Sequence, residues 1–175
     1  KNHGFLLRTF AGIKREDQTA RLLLLGPSKE RDHDLVELAE RLGVSDSVIF
    51  CGYVDDPERY YSAADVFLFP SLNEGLSLAL CEAQAEGLSY IASDAITRSS
   101  DLFGHGLFLP IDQGVDSWVK ATISMRGTRN VPDEREIAAC PFNLNHSAPL
   151  LEETYRCLLE RRSWATVVAL WEGAA

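Results

Sequence analysis

The sequence predicts an α/β protein: a doubly wound, Rossmann-like parallel sheet with helices on both faces, the first strand of which is missing. Two observations carry this expectation. Short apolar runs alternate with stretches whose apolar residues recur at helical spacing, in a period of about two dozen residues, which is βα repetition rather than a meander of hairpins. The runs end in glycine or proline, at Gly26-Pro27, Gly52, Pro70 and Pro110. With 175 residues, 46% of them apolar and 25% charged, the chain has material for a continuous core.

Each element follows from its local pattern. Phe5, Leu6, Phe10 and Ile13 recur at helical spacing, so a helix is expected over 5–13. Residues 21–25 form a short leucine-rich run that ends in a turn, as a buried strand does. Leu35, Leu38, Ala39 and Leu42 mark the apolar face of a second helix closed by Gly43. A strand over 47–51, a short helix around Tyr60 and Tyr61, and a strand over 65–69 stopped by Pro70 come next. A helix is expected over 78–85 with Gly87 beyond it, then strands over 89–92 and 106–109. Helices over 116–125, 133–139, 149–159 and 164–171 complete the chain. Residues 1–162 are expected to form one domain and 163–175 a C-terminal helix or tail.

Charge and cysteine usage narrow the function. Seventeen Lys and Arg against 26 Asp and Glu give a net charge of -9, a surface that repels phosphate backbones, so nucleic acid is not an expected partner. Cys51, Cys81, Cys140 and Cys157 lack metal-ligand spacing and read as buried thiols of a reducing compartment, which points to the cytoplasm. No apolar run approaches the ~20 residues of a membrane span, and no metal site is expected.

The segment from Phe69 to Ala83 carries the chemistry. It brings a strand end, a glycine turn at Gly75 and a helix start at Leu76, Ser77, Leu78 and Ala79 into a few residues. The unpaired N–H groups of a helix's first turn, reached past a residue with no side chain, make a seat for a diphosphate. Glu74 lies just before the turn and Glu82 beyond it. Were the whole span helical, they would stand ~12 Å apart along the axis, too far to share one bond but suited to two anchors on an extended ligand. Glu82 lies among Leu80, Cys81 and Ala83, where an unpaired carboxylate is costly. By spacing alone, chance and the helix dipole account better than function for two glutamates eight apart in an acidic chain.

The run Pro70-Ser71, Glu74-Gly75-Leu76, Glu82-Ala83-Gln84-Ala85 and Gly87 resembles the donor motif of the GT-B glycosyltransferases of family four. Leu24-Leu25-Gly26, residues 48–54 from Val48 through Tyr53 to Val54, and Ala64-Asp65-Val66-Phe67 are similar to the same family in order and spacing. The segments around Glu86, Ser93-Asp94, Thr97-Arg98 and Phe108-Leu109-Pro110 look like bacterial enzymes of capsular and exopolysaccharide assembly. Ser77, Glu86 and Ser89 depart from the residues usual there, which puts donor choice in doubt more than fold.

The resemblance implies a donor-binding half of a retaining glycosyltransferase, moving a sugar from a nucleoside diphosphate, with UDP expected, to an acceptor hydroxyl. Glu82 would take the ribose hydroxyls, Glu74 the hydroxyls of the sugar, and the amides of residues 76–79 the diphosphate. Main chain at Tyr53 and Val54 would bind the base, Gly26 would leave room for the ligand, and Lys1 would stabilise the departing phosphate. No cofactor is implied, since the nucleotide sugar is a substrate. A doubly wound domain opening on a helix lacks the strand beside its first crossover, so a strand and the signature arginine are expected upstream of Lys1, along with an acceptor-binding half that leaves association with the inner membrane face open.

Two rival readings remain at this level: a non-catalytic nucleotide-sugar-binding or scaffolding module of the same fold, and a sugar-nucleotide epimerase. Ser71 lacks the glycines of a hydrolase elbow and reads as a turn residue. Tyr60, Tyr61 and Trp118 read as packing aromatics, and the four histidines are scattered.

Overall fold

In the computed structural model, which describes residues 1–172, the chain divides into two units, Lys1–Val131 and Pro132–Ala175. The first runs through α1 (His3–Glu16), β1 (Leu22–Leu25), α2 (His33–Arg41), β2 (Val48–Gly52), α3 (Pro57–Ala63), β3 (Phe67–Phe69), α4 (Leu78–Ala85), β4 (Tyr90–Ser93), β5 (Gly106–Leu109) and α5 (Val115–Met125). The second holds α6 (Glu134–Ala139), α7 (Leu144–Leu159) and α8 (Trp164–Glu172). No helix among the described residues is long and apolar enough to cross a membrane.

Every strand pair is parallel: β1 with β2, β3 with β4, and β4 with β5. The α/β class is as the sequence predicts, but the strands hydrogen-bond as two sheets, ordered β1-β2 and β3-β4-β5. β1 and β3 line the same cavity of about 1210 Å³, and among the described residues neither has a strand partner on that side.

The core of the first unit forms on both sides of these strands. α1 buries Leu6, Leu7, Phe10 and Ile13 in a cluster with Leu24, Ala39 and Val48, each large side chain contributing about 1.5–3 kcal/mol. Its apolar spacing, read from the sequence, faces that cluster. α1 and α5 approach closely because Gly12 has no side chain; a Cβ there would lie 2.5 Å from Val119. Trp118, fully buried, meets Phe5 edge-on at 5.4 Å and donates Nε1–H to the Pro110 carbonyl at 3.2 Å. On the other side Phe69, Leu80, Tyr90, Ala92 and Phe108 form a second cluster.

In the second unit, α6 opens with Asp133 and Glu136 satisfying each other's backbone N–H groups. α7 begins at Leu144, capped by Asn143, rather than at Pro149 where a proline-led start is expected. Proline at 149 therefore lies inside the helix, where it removes one ladder bond. Trp171 of α8 donates to Thr154 Oγ1 of α7 at 2.9 Å. α7 packs on both α6 and α8; residues 173–175 of the expected C-terminal helix or tail lie outside the described residues. Of the four cysteines expected to be buried, only Cys157 is; Cys51, Cys81 and Cys140 are partly exposed.

Candidate functional site

The carboxyl ends of the strands gather most of the residues singled out by the sequence. β3 delivers the chain into 70–77, and α4 starts at Leu78 because Ser77, in extended geometry, accepts from the Leu80 N–H through its side chain. The N–H groups of Leu78 and Ala79 lie ahead of the helix's own ladder. Leu76 and Leu78 are exposed. At Gly75 an added Cβ would meet nothing within 4 Å and the backbone is not left-handed, so nothing in the protein requires glycine there.

Glu74 is held from two sides. Lys1 Nζ lies 2.7 Å from Glu74 Oε1, and Ser71, itself buried, donates to the same oxygen at 2.6 Å. Lys1 also stands 4.9 Å above the centre of the Phe69 ring, so the last residue of β3 holds the lysine that pairs with the loop following it. Burial pushes the Glu74 carboxyl up, but the hydrogen bonds from Lys1 and Ser71 and the lysine charge outweigh this, and its pKa is lowered. A carboxylate stays ionised beside an ammonium across neutral pH.

Glu82 lies on α4 with its side chain in solvent, not enclosed by Leu80, Cys81 and Ala83 as the sequence suggests. Leu80 and Ala83 turn into the core, whereas Glu82 points out toward α3. There the Tyr61 hydroxyl donates to Glu82 Oε2 at 3.1 Å. Burial first, and then the Glu82 charge, push the Tyr61 phenol well above its ordinary value, so it remains a donor. The helical estimate of the Glu74-to-Glu82 separation does not apply, since helix begins only at Leu78.

The Ser77 amide is engaged as well: it donates to Ser100 Oγ at 3.3 Å instead of standing free with its neighbours, so the open amides of this helix start are reduced by one. Gln84 completes the tie to the loop after β4. Its amide donates to the carbonyls of Leu80 at 3.0 Å and Ser100 at 2.7 Å, and its oxygen accepts from the Leu102 N–H at 2.8 Å. Sequence reasoning missed Ser71, Tyr61, Gln84 and Ser100. Ser71, three residues before Glu74, was open to recognition as its partner; the others act across long sequence separations that no local pattern encodes.

A second group of expected residues meets at the ends of β1 and β2. Gly26, at φ 98°, occupies a conformation that only glycine adopts at little cost. Its N–H donates to the Gly52 carbonyl at 2.6 Å, and the Gly52 N–H donates to the Pro27 carbonyl at 2.9 Å. The adjoining loop presents Tyr53, 83% exposed, with Val54 partly covered. The large cavity touches Lys1, Gly26 and Ala79, while Glu74, Glu82, Tyr53 and Val54 lie outside its lining.

The family described as Glycosyl transferases group 1 matches residues 1–126. EpsF of Bacillus subtilis, whose name describes a glycosyltransferase, is 33% identical over 150 residues, covering 85% of this chain and 38% of that protein. D-inositol 3-phosphate glycosyltransferase of Nocardia farcinica is 33% identical over 169 residues, covering 88% and 37%. The chain thus spans well under half the length of these relatives. Among solved structures, sucrose-phosphate synthase from Thermosynechococcus elongatus superposes with a TM-score of 0.73 at 24% identity, over 91% of this chain and 44% of that one. Anabaena HepE, solved in complex with UDP, gives 0.57 at 22%, over 71% and 35%; at these identities the likeness is one of fold. With the family matched from Lys1 through the end of α5, this chain belongs to the Glycosyl transferases group 1 family.

Proposed function

We propose that the chain is the donor-binding part of a retaining glycosyltransferase that takes a sugar from a nucleoside diphosphate, UDP being the preferred carrier, and passes it to an acceptor hydroxyl in polysaccharide or glycoconjugate synthesis. The observation that carries this reading is the pairing of Lys1 with Glu74, in the loop that leads from β3 into α4. A cation and a carboxylate meet there, and the chain then runs into the helix-start amides of Leu78 and Ala79, the kinds of group a sugar diphosphate calls for.

In this reading the diphosphate takes up Lys1 and the amides of Leu78 and Ala79, and Glu74 turns its accepting oxygens to the sugar hydroxyls. Glu82, oriented by Tyr61, takes the ribose hydroxyl pair, and main chain at Tyr53 and Val54 takes the base. The bond between the anomeric carbon and the diphosphate oxygen breaks with its electron pair moving to phosphate. The acceptor oxygen bonds to that carbon and gives up its proton. Lys1 stabilises the charge that grows on the phosphate. An acceptor-binding domain supplies the second substrate, and cytoplasmic work at the inner membrane face belongs to the same proposal.

Calorimetry with UDP, GDP and ADP tests it. UDP is expected to bind the complete protein, and Glu82→Ala to weaken it by about 1.5–3 kcal/mol. Binding of none of the three would favour a scaffolding module of the same fold, and unchanged affinity in Glu82→Ala would remove that residue from the site.

A further inference from the structure

We infer that Ser71 is a positioning residue for the transferred sugar: it keeps Glu74 in place when the donor diphosphate draws Lys1 away. The inference rests on the donor reading above, in which Lys1 serves the phosphate and Glu74 the sugar hydroxyls. The two groups that donate to Glu74 Oε1 differ in freedom. Lys1 reaches it at 2.7 Å with a half-exposed side chain, and an ammonium on so flexible a stem turns readily toward a stronger anion. Ser71 reaches it at 2.6 Å from a residue only 1% exposed, two positions past the end of β3 and directly after Pro70, whose ring fixes the backbone. A buried hydroxyl held in this way is out of reach of a ligand arriving from solvent.

That hydroxyl has one strong use. Its other acceptor, the Asn73 carbonyl, lies at 3.5 Å, at the outer limit of hydrogen bonding. Without Glu74 a buried hydroxyl would be left poorly satisfied, which is costly. Both bonds to the Glu74 carboxylate fall on Oε1, so among the described residues Oε2 has no donor and is available to a ligand.

An incoming diphosphate changes the balance. It carries more negative charge than one carboxylate, so the Lys1 ammonium turns to it. Glu74 then loses its cation and gains an anion beside it. Both changes press the carboxylate to swing away or to take up a proton. A neutral donor fixed at Oε1 resists both and, being buried, is not itself drawn to phosphate. Oε2 stays ionised and oriented to accept from a sugar hydroxyl. Ser71 thus converts an ion pair into an aimed acceptor once the donor binds.

The test compares Ser71→Ala with Ser71→Thr, which restores the hydroxyl, by calorimetry on the complete protein with UDP and with a panel of UDP-sugars. UDP brings no sugar, and its affinity is expected to stay within about twofold of wild type in both variants. Affinity for the preferred UDP-sugar is expected to fall about fivefold in Ser71→Ala, the loss of one oriented hydrogen bond to a charged group, and to recover in Ser71→Thr. A carbon-detected NMR titration of Glu74 gives a second measurement. Saturating UDP should raise its midpoint as Lys1 leaves, and in Lys1→Met, which lacks the ammonium, adding Ser71→Ala should raise it further. Equal losses for UDP and UDP-sugars, unchanged UDP-sugar affinity, a Glu74 midpoint unmoved by UDP, or a Lys1→Met titration indifferent to Ser71→Ala would each overturn the inference while UDP binding stands. Failure of the wild-type protein to bind UDP would instead remove the donor reading, and this role with it.

Discussion

Gln84, buried on α4, donates to the Ser100 carbonyl at 2.7 Å while accepting from the Leu102 N–H, so one side chain fastens the loop after β4 to the helix at the head of the site. Both loop groups depend on it for satisfaction. Gln84→Leu keeps the volume and removes every bond, and is expected to cost about 1–3 kcal/mol, read as a lowered denaturation midpoint with an unchanged m-value.

Gly75→Ala separates fold from ligand. An added methyl meets nothing in the protein, so thermal stability should hold or rise by about 0.4–1 kcal/mol as the unfolded chain loses freedom. UDP affinity measured by calorimetry should fall, because the same methyl stands in the path by which a diphosphate reaches the helix start. Unchanged affinity would place the ligand elsewhere.

The lowered pKa of Glu74 has a definite sign. A carboxyl whose pKa is depressed in the fold stabilises it above the ordinary glutamate value and loses that contribution as pH falls through the folded value. A carbon-detected NMR titration of Glu74 should therefore show a midpoint below that of an unstructured glutamate. Ser71→Ala, which deletes one of the two donors to Oε1, should move that midpoint upward.

Tyr61→Phe leaves the core contacts of the ring, including its edge-on packing with Phe67 at 5.7 Å, but frees Glu82 to rotate. A hydrogen bond to a charged group at an exposed site is worth about 1 kcal/mol, so the dissociation constant for UDP should rise about fivefold in a titration at constant ionic strength. Equal affinity would show that the tyrosine orients nothing the nucleotide uses.

Arg129 spreads its guanidinium over four carbonyls, of Glu86, Tyr61, Ser62 and Ala64, closing the C-terminal ends of α3 and α4. Lysine keeps the charge but cannot fork. Arg129→Lys should lower the melting temperature in calorimetric scans, through C-terminal carbonyls left without donors.

Much of this was legible in the residues. The apolar runs of β1 and β3 and the spacing of Phe10 and Ile13 identified their elements because periodicity is a local property. The resemblance gave Lys1 and Glu74 separate roles on one donor; their ion pair was not legible, since 73 positions separate them and nothing local joins them. Glu82 was misread as enclosed because its sequence neighbours are apolar, while helical geometry sends Leu80 and Ala83 inward and Glu82 out. α7 was begun too late because Pro149 resembles a helix start, whereas Asn143 performs the capping.

The reciprocal bonds between Gly26, Pro27 and Gly52 make the tips of β1 and β2 mechanically one object. A residue inserted at either tip would pull the other out of line, so the spacing of the two is a shared variable rather than a pair of independent ones. Grafting one tip from a related protein should succeed only when its counterpart is carried over with it.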